Sequence, residues 1–483
     1  MADYRLRLFS FRVVRKGRKI KEVFVSAPKR RKKEFLFMNR ESIKKKRAGF
    51  AGIFLVFTLS SCGTNGSPKS SIPSDSSIAL SSASSSSILW SSTSSFDAGL
   101  SVKKPTNALS SSFVYGIDCS MAGQVEELGG HYYGESGQEE DLFSLLKKEG
   151  STACRFRLWV DPESSSKVSY GGGGNSLARD LALAKRAQEA GLKILLDFHY
   201  SDFWTDPSHY LVPKAWAALS ESAKVSALKS YTQDSLQSFK NAGITVDWAQ
   251  IGNEINPGIA GVAPSSSAFY DLLKAGSSAA KAVFPHLETV IHLTNVNNAS
   301  STIDFFKTIQ SHGVDFDVAG VSYYPYWHGS KENLQTVLNS VANETGQKVM
   351  ILETAWGFTD EKTAYAHNQY SSSGFGKIGG YATSPQGQAD ELCDLFDVLS
   401  KVPNQKGAGL FYWEPDWLPV KGADWASPEG QYYNEHGVDG VSTESADTRL
   451  QSWANQAWFS YEGKLLPSAS VYRRIRALEE SNN

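Results

Sequence analysis

The chain of 483 residues has room for one large domain or two or three ordinary ones, and its 41% apolar and 12% aromatic residues exclude a disordered or collagen-like protein. Residues 1–47 hold 18 of the 49 Lys and Arg but only 4 of the 50 Asp and Glu, a net charge of +14 that leaves −15 on residues 48–483. This acidic balance excludes a basic nucleic-acid-binding face from the folded part, and favours a soluble protein that acts outside the cytoplasm on a neutral ligand.

A secretion signal is predicted near the amino terminus. The run KKKR at residues 44–47 precedes an apolar segment, residues 48–59, which is too short for a stable transmembrane helix but suits a signal peptide. The letters LSSC follow at residues 59–62 and resemble a bacterial lipobox, in which Cys62 becomes the lipidated new amino terminus. We therefore predict a lipoprotein signal peptide over residues 38–61 and an extracytoplasmic protein, lipid-anchored at a bacterial membrane or cell surface. The alternative is a plain secretory signal or a hydrophobic segment that is not a signal.

The segments on either side of this signal differ in composition. Met38 is the expected start, which makes the basic residues 1–37 a translated upstream segment; binding of a partner by this segment is the alternative. Ser supplies 20 of the 46 residues from 67 to 112, and such a chain cannot bury enough apolar surface to fold. We predict a flexible tether over residues 62–112 and a catalytic domain over residues 113–483.

From residue 113 onward, short apolar runs alternate with longer amphipathic segments, which favours parallel strands with helical crossovers. The strand-like runs are VYGID (114–118), TACRFRLW (152–159), LKILLDF (192–198), WAQIG (248–252), LETVIHL (287–293), VAGVSYY (318–324), KVMILE (348–353) and AGLFYW (408–413). Helix-like segments such as SLARDLALAKRAQEAG lie between them and often close with Gly, a helix-ending residue.

Eight such units predict an α/β fold, a (β/α)8 TIM barrel with extended loops at its C-terminal face. An open doubly wound sheet is the alternative. It is disfavoured because no Gly-rich phosphate loop follows the first strand, and GGGG at residues 171–174 lacks the GxGxxG spacing.

In such barrels the working residues come from the carboxyl ends of the strands and the loops that follow. The candidates there are Asp118, Arg155, Arg157, Asp197, His199, Asp202, Trp204, Asn253, Glu254, Tyr323, Tyr324, Trp327, His328, Glu353, Trp356 and Trp413. Taken singly, a carboxylate of this kind is often only a helix cap or surface charge, and a Trp or His often belongs to the core. Glu254 and Glu353 each end an apolar strand, three strands apart, and together they indicate catalysis.

Two carboxyl groups in a barrel mouth with aromatic walls are what glycosidic bond hydrolysis requires, because one acid protonates the leaving oxygen and the other acts at the anomeric carbon. Aromatic rings stack on the apolar faces of sugars, and amide, carboxylate and guanidinium groups bind the hydroxyls. The environment must separate the two pKa values. Asn253 could donate to a hydroxyl, and either Arg155 or Arg157 could keep one carboxylate ionised.

Over nearly all of residues 113–475 the chain resembles the endo-β-1,4-galactanases of glycoside hydrolase family 53, a family of retaining (β/α)8 glycosidases. The resemblance is carried by GIDCSMAGQVEELGG, RFRLWVDP, LLDFHYSDFWTDP, QIGNEINPG, GVSYYPYWHG, ILETAWGF and LFYWEPDW. It implies that Glu254 is the general acid/base and Glu353 the nucleophile, with carboxyl groups about 5–5.5 Å apart. It also implies a sugar-binding shell that comprises Arg155 or Arg157, His199, Asn253, Tyr323 and Trp413. The implied substrate is β-1,4-galactan, or type I arabinogalactan, from the side chains of pectin.

The resemblance also bears on metals and partners. Some bacterial members of the family hold calcium in the loop after strand seven; this chain has Asp360, His367 and Asn368 there, but a thinner acidic cluster. We expect no required cofactor, with a structural calcium as the less favoured alternative. The expected partners are the polysaccharide and, through the anchor, a membrane, with no nucleic acid and a monomeric state.

Two other functions are compatible with the sequence. A related retaining β-glycosidase of the same clan could act on another plant polysaccharide, since the clan shares both glutamates. A surface glycan-binding lipoprotein without turnover is the alternative from another class.

Overall fold

The computed structural model describes residues 99–480, and the predicted signal peptide, Cys62 and most of the predicted tether lie outside them. Within this range eight parallel strands, β1 to β8, pair in sequential order, and β8 pairs with β1 to close a barrel. The predicted (β/α)8 fold is therefore confirmed. None of the helices within residues 99–480 is long and apolar enough to cross a membrane.

The eight strands coincide with the predicted runs. Where a strand extends beyond its run, it does so by one residue. They are β1 Val114–Asp118, β2 Ala153–Leu158, β3 Lys193–Phe198, β4 Trp248–Ile251, β5 Glu288–Leu293, β6 Val318–Ser322, β7 Lys348–Thr354 and β8 Gly407–Trp413. Nearly every residue in them is buried. Strands covered on both faces are apolar along their whole length, and this is why the sequence marks them so clearly.

Helices follow the strands and cover the outside of the barrel. Those in the described residues are Ala122–Glu127, Leu142–Lys148, Leu177–Glu189, Glu221–Asn241, Ser267–Val283, Ala299–Ser311, Lys331–Thr345, Pro385–Ser400, Pro428–His436 and Val471–Glu480, with short helical turns in the loops. Serine caps begin several of them; for example, Ser176 accepts from the N–H of Arg179 and Ser330 from that of Asn333.

The barrel interior changes character along its axis. At the amino ends of the strands it holds an apolar layer that comprises Val114, Ala153, Leu195, Trp248, Val290, Val318, Met350, Leu352, Ala408 and Phe411. Side chains alternate between the two faces of a strand, so the residue two places later also faces inward, nearer the carboxyl end. In β2, β3 and β5 these residues are Arg155, Asp197 and His292. The interior is therefore apolar at one end and polar at the end where the strands stop.

Residues 99–112 differ from the expectation of a flexible tether. They lie against the helices Pro385–Ser400 and Val471–Glu480, and backbone amides of the segment donate to carboxylates on both helices. Leu100 and Leu109 are buried. These two side chains and the amide contacts fix a stretch that the Ser-rich composition alone assigns to the tether.

The cysteines of the described range are buried free thiols, namely Cys119, Cys154 and Cys393. Burial raises the pKa of each of them. They belong to the core, and Cys119 and Cys154 form no disulfide with each other.

Candidate active site

A cleft of about 360 Å³ opens at the carboxyl ends of the strands. It brings together nine of the residues predicted from the sequence: Arg157, His199, Trp204, Asn253, Glu254, Tyr324, Trp327, Glu353 and Trp413. Its walls also include Trp417, which the sequence places at the rim after strand eight, and residues that the prediction missed: Thr205, Asp206, His209, Gln369, Trp425, Asn434, Ser452 and Trp453. Most of the missed residues lie in loops without periodicity, and only Trp425 and Trp453 carried a signal, as aromatic residues after the last strand.

Glu254 follows the end of β4 on a sharply turned backbone. Its φ of 46° lies in the left-handed region, two residues after Gly252 with a φ of 90°. A non-glycine residue there is strained by about 1–3 kcal/mol, and such strain concentrates at functional sites. The Oε1 atom of Glu254 accepts a hydrogen bond of 2.6 Å from the hydroxyl of Ser322. Burial, reinforced by the negative charge of Glu353, raises the pKa of Glu254 to about 8.

Glu353 lies on β7 and has a different environment. Its Oε1 is 3.0 Å from Nη2 of Arg155, and its Oε2 accepts from the Tyr324 hydroxyl at 3.1 Å. Burial raises the pKa of Glu353, and the guanidinium of Arg155 opposes that rise. Because a cation touches Glu353, Glu254 holds its proton to the higher pH of the two. This separation suits one group to act as an acid and the other as a nucleophile.

Arg155 is the arginine that contacts Glu353. It is fully buried, and its guanidinium also donates to Asp118 Oδ2 at 2.8 Å and to Asp197 Oδ2 at 2.7 Å. The same Nη2 lies 2.9 Å from Asn253 Oδ1. Arg155 thus links the residue beside Glu254 to Glu353, beneath the floor of the cleft.

Arg157 faces the same interior, as the spacing of two predicts, but supports a different part of the site. Its Nη1 donates to Glu414 and to Asp118 Oδ1. Its guanidinium carbon lies 4.3 Å from the ring centroid of Trp204 and 5.6 Å from that of Trp413. Arg157 therefore holds the aromatic wall through cation–π contacts.

His199 is neutral and held in one tautomer. Its Nδ1 accepts from the backbone N–H of Thr205 at 3.1 Å, so the hydrogen is on Nε2, which donates to Asp197 at 3.1 Å. Burial lowers the pKa of His199. The ring lines the cleft and can offer its edge to a ligand.

Tryptophans form much of the cleft wall. Trp204 and Trp417 are nearly parallel, with an interplanar angle of 13° and centroids 6.5 Å apart. Trp413 meets Trp453 edge to face at 4.7 Å. Trp327 is 39% exposed. Such surfaces stack on the apolar faces of sugar rings.

Several predicted binding residues do not reach the cleft. Asp118, Arg155 and Asp197 lie beneath it in the buried network described above, and His328 accepts from the backbone of Tyr324 through Nδ1. Three others have contacts within the protein. Asp202 accepts from the N–H groups of Asp161 and Lys214, the Tyr323 hydroxyl donates to Gly329, and the Trp356 indole donates to Ala382. Asp202, Tyr323 and Trp356 are buried and do not line the cleft, and their role in substrate binding stays a prediction.

In the loop after β7, the side chains of Asp360 and Asn368 bind backbone groups of the same loop. Asp360 accepts from the N–H of Ser372, Asn368 donates to the carbonyl of Glu361, and the N–H of His367 donates to Gln451. Across residues 99–480 no group of three or more His, Cys, Asp and Glu side chains is placed to hold a metal ion.

A buried set behind Glu254 was also missed by the sequence analysis. Gln250, His292 and Ser322 are fully buried in the interior on β4, β5 and β6. The sequence indicates that these three side chains face the barrel interior, because each stands two or four places after an apolar interior residue. A polar residue inside an apolar run was the signal.

A closed (β/α)8 barrel with two carboxyl groups of opposed environment in an aromatic cleft defines a glycoside hydrolase. The profile of glycosyl hydrolase family 53 matches residues 114–472, and the chain belongs to this family. The resemblance seen in the sequence is thereby confirmed.

Similar proteins support this assignment over most of their length. The endo-β-1,4-galactanase of Bacillus subtilis (strain 168) is 35% identical over 394 residues, which cover 77% of this chain and 87% of that protein. The arabinogalactan endo-β-1,4-galactanase of Humicola insolens is 30% identical over 371 residues, covering 74% and 98%. The solved GH53 catalytic domain of Ignisphaera aggregans superposes with a TM-score of 0.71 at 36% identity, covering 78% of this chain and 99% of that one.

Proposed function

We propose that this chain is a retaining endo-β-1,4-galactanase that cleaves galactan and type I arabinogalactan, the side chains of pectin. Membership of family 53 and relatives that carry this name support the substrate. One observation supports the chemistry above all: Glu254 and Glu353 line the same cleft, and only Glu353 of the two has a guanidinium in contact.

In the first step Glu353 attacks the anomeric carbon of the bound galactose while Glu254 gives its proton to the departing glycosidic oxygen. The carbon–oxygen bond of the glycoside breaks as the bond to Glu353 forms. Arg155 and the Tyr324 hydroxyl hold the two oxygens of Glu353 and keep the carboxylate ionised.

In the second step Glu254, now a carboxylate, takes a proton from a water molecule that attacks the same carbon. The bond to Glu353 breaks, and the sugar leaves with its original anomeric configuration. Two inversions at one carbon give net retention.

The proposal predicts that Glu353→Gln abolishes the release of reducing ends from purified galactan, with a loss of at least about 10³-fold, because the amide cannot form the covalent intermediate. Glu189→Gln is the matched control, since Glu189 is exposed on the helix Leu177–Glu189 far from the cleft walls. Undiminished activity of Glu353→Gln would exclude the assignment.

A polysaccharide panel separates the competing functions. Preference of the unaltered chain for another plant polysaccharide over β-1,4-galactan would identify a related glycosidase. Binding of galactan without products after long incubation would identify a glycan-binding protein.

We further propose that the chain is a lipid-anchored, extracytoplasmic monomer. The run KKKR, the apolar residues 48–59 and the letters LSSC at residues 59–62 support the anchor. Mass spectrometry of the mature amino terminus should find a diacylated Cys62, and Cys62→Ala should move the enzyme from the membrane fraction to the soluble one. An unmodified Cys62, or no cleavage before it, would refute the anchor.

A further inference from the structure

Glu254 is joined to two buried residues that the mechanism above does not use. Its Oε1 lies 2.6 Å from Ser322 Oγ, and Ser322 Oγ lies 2.9 Å from Nε2 of His292. Ser322 and His292 are completely buried, on β6 and β5. The three side chains form a linear hydrogen-bonded chain that runs from the cleft into the barrel interior.

The direction of this chain is set at Nδ1 of His292. Two groups that can only donate approach it: Gln250 Nε2 at 3.0 Å and the backbone N–H of Glu254 at 3.4 Å. Asn253 Oδ1 also lies 2.9 Å away, but it already accepts from Arg155 Nη2 and Gln250 Nε2. The two hydrogens of Gln250 Nε2 also have Asn253 Oδ1 and the carbonyl of Gly252 as acceptors, both at 3.2 Å. The backbone N–H of Glu254, in contrast, has no other acceptor among the described residues, so a protonated Nδ1 would leave it unpaired and would add a third donor to Asn253 Oδ1. The hydrogen of His292 is therefore on Nε2.

The two amides beside His292 cannot turn over to change this assignment. Gln250 Oε1 accepts from Arg155 Nε at 3.1 Å, and an arginine can only donate. Asn253 Nδ2 donates to the carbonyl of Thr205 at 2.8 Å. Each amide thus has its oxygen and nitrogen fixed by a partner of one kind.

The rest of the chain follows from the position of that hydrogen. His292 donates through Nε2 to Ser322 Oγ, so the Ser322 hydroxyl hydrogen points to Oε1 of Glu254. We propose that Ser322 and His292 are positioning residues that confine the exchangeable proton of Glu254 to Oε2, the oxygen that Ser322 does not contact. This rests on the proposed function.

Within that mechanism the proton balance is simple. Oε2 gives its proton to the glycosidic oxygen in the first step and receives one from the attacking water in the second. Ser322 and His292 keep their own hydrogens throughout. Oε1 remains an acceptor in both protonation states of Glu254.

The groups around Glu254 determine its pKa and the part that Ser322 has in it. Burial, Glu353 on β7 and Asp206 in the loop after β3 raise the pKa of Glu254, and the hydroxyls of Ser322 and Thr294 lower it by binding the carboxylate, with Ser322 having the larger effect. Loss of the Ser322 hydroxyl therefore raises the pKa of Glu254 further.

The groups around His292 keep it neutral. Burial lowers the pKa of His292 well below its ordinary value, and Arg155 on β2, His199 after β3 and His328 after β6 lower it further. His292 thus acts as a fixed donor through the range in which Glu254 titrates.

The test compares two substrates that differ in their need for an acid. Galactan has a poor leaving group and requires the proton of Glu254, whereas a dinitrophenyl β-1,4-galactobioside does not. Ser322→Ala should lower the ratio of kcat/KM on galactan to kcat/KM on the aryl substrate about tenfold. It should also move the basic limb of the kcat/KM profile on galactan to higher pH by about one unit.

Controls separate positioning from general damage. Ser322→Thr keeps the hydroxyl and should restore the basic limb of the kcat/KM profile. Ser277→Ala removes a buried hydroxyl on the helix Ser267–Val283 and should change neither the basic limb nor the ratio of kcat/KM on the two substrates. Should Ser322→Ala not fold, His292→Met removes the donor to Ser322 and should lower the same ratio.

Two results have different meanings. An unmoved basic limb together with equal losses on both substrates would overturn the role of Ser322 and His292. Failure of the unaltered chain to cleave galactan would instead overturn the proposed function.

Discussion

At the scale of single residues, Arg155 lies at the centre of the buried polar network. It binds Asp118, Asp197 and Glu353 with one guanidinium, and its Nε reaches Gln250. A planar group with five donors can satisfy several acceptors at fixed angles, which a lysine ammonium cannot. The position of Glu353 and the orientation of the amides behind Glu254 therefore depend on the same side chain.

This geometry predicts the effect of Arg155→Lys on the pH profile. Glu353 must be ionised to attack, and the guanidinium in contact with it lowers its pKa. Removal of that contact raises the pKa, so the acidic limb of kcat/KM should move to higher pH. We expect kcat/KM at pH 6 to fall about 10- to 100-fold, from the loss of one charge-assisted hydrogen bond.

Arg157→Lys is the matched comparison. Arg157 contacts Glu414, Asp118 and Trp204, so this change should weaken binding of galactan without a comparable shift of the acidic limb. A larger shift for Arg157→Lys than for Arg155→Lys would contradict the assignment of Arg155 to Glu353.

The sequence could place both arginines inside the barrel but could not choose between them. A spacing of two specifies the face of a strand, whereas the partner depends on how far a long side chain reaches across to strands such as β7. For Ser322 the limit is related: its place in an apolar run indicates an interior position, but it does not reveal that the hydroxyl reaches Glu254. The pair Glu254 and Glu353 was predictable because carboxylates rarely end two buried strands without a purpose.

At the scale of secondary-structure elements, the pairing register between β6 and β7 places two functional residues opposite each other. The pairing shifts between Val321 and Ser322, and Ser322 then lies opposite Glu353. Irregularities of this kind re-aim side chains near active sites. The apolar patterns of β6 and β7 predict that both strands exist. They do not predict this shift in pairing register, because one added residue leaves the apolar composition of a strand unchanged.

The helix Pro385–Ser400 carries a buried carboxyl group away from the cleft. Glu391 accepts from the Thr354 hydroxyl on β7, and burial raises its pKa to about 8. Its unfolded value is about 4.3. The folded state therefore binds the proton more tightly, and the stability that this group contributes is fully present below about pH 4.3 and is lost as pH rises through the folded pKa.

Glu391→Gln should remove this pH dependence. Relative to the variant, the unaltered chain should lose up to about 1.4 kcal/mol of unfolding free energy per pH unit between about 4.3 and the folded pKa. Urea unfolding at pH 5, 6.5 and 8 measures the difference. Glu189→Gln, an exposed change on another helix, serves as the control, and parallel stability curves for Glu391→Gln and the unaltered chain would contradict the prediction.

At the scale of the whole molecule, the sequence predicts the barrel well because every strand is buried on both faces and each helix buries one. The cleft walls are less predictable. Asp206, Gln369 and Trp453 come from long loops, where no periodic pattern relates a residue to its neighbours in space. Their positions depend on contacts between segments far apart in the chain.

The segment of residues 99–112 determines where an attached chain meets the barrel. Ser101 binds Gln386 in the first turn of the helix Pro385–Ser400, and Asn107 binds Ser400 at its end, just before β8 begins. The segment therefore runs from the cleft end of the barrel to the opposite end before it enters β1. An immobilisation tag or solid support fused ahead of residue 99 would consequently emerge beside the cleft end, and long polymers would compete with the support for access. Attachment after the helix Val471–Glu480, which runs in the same direction, would leave that entrance open.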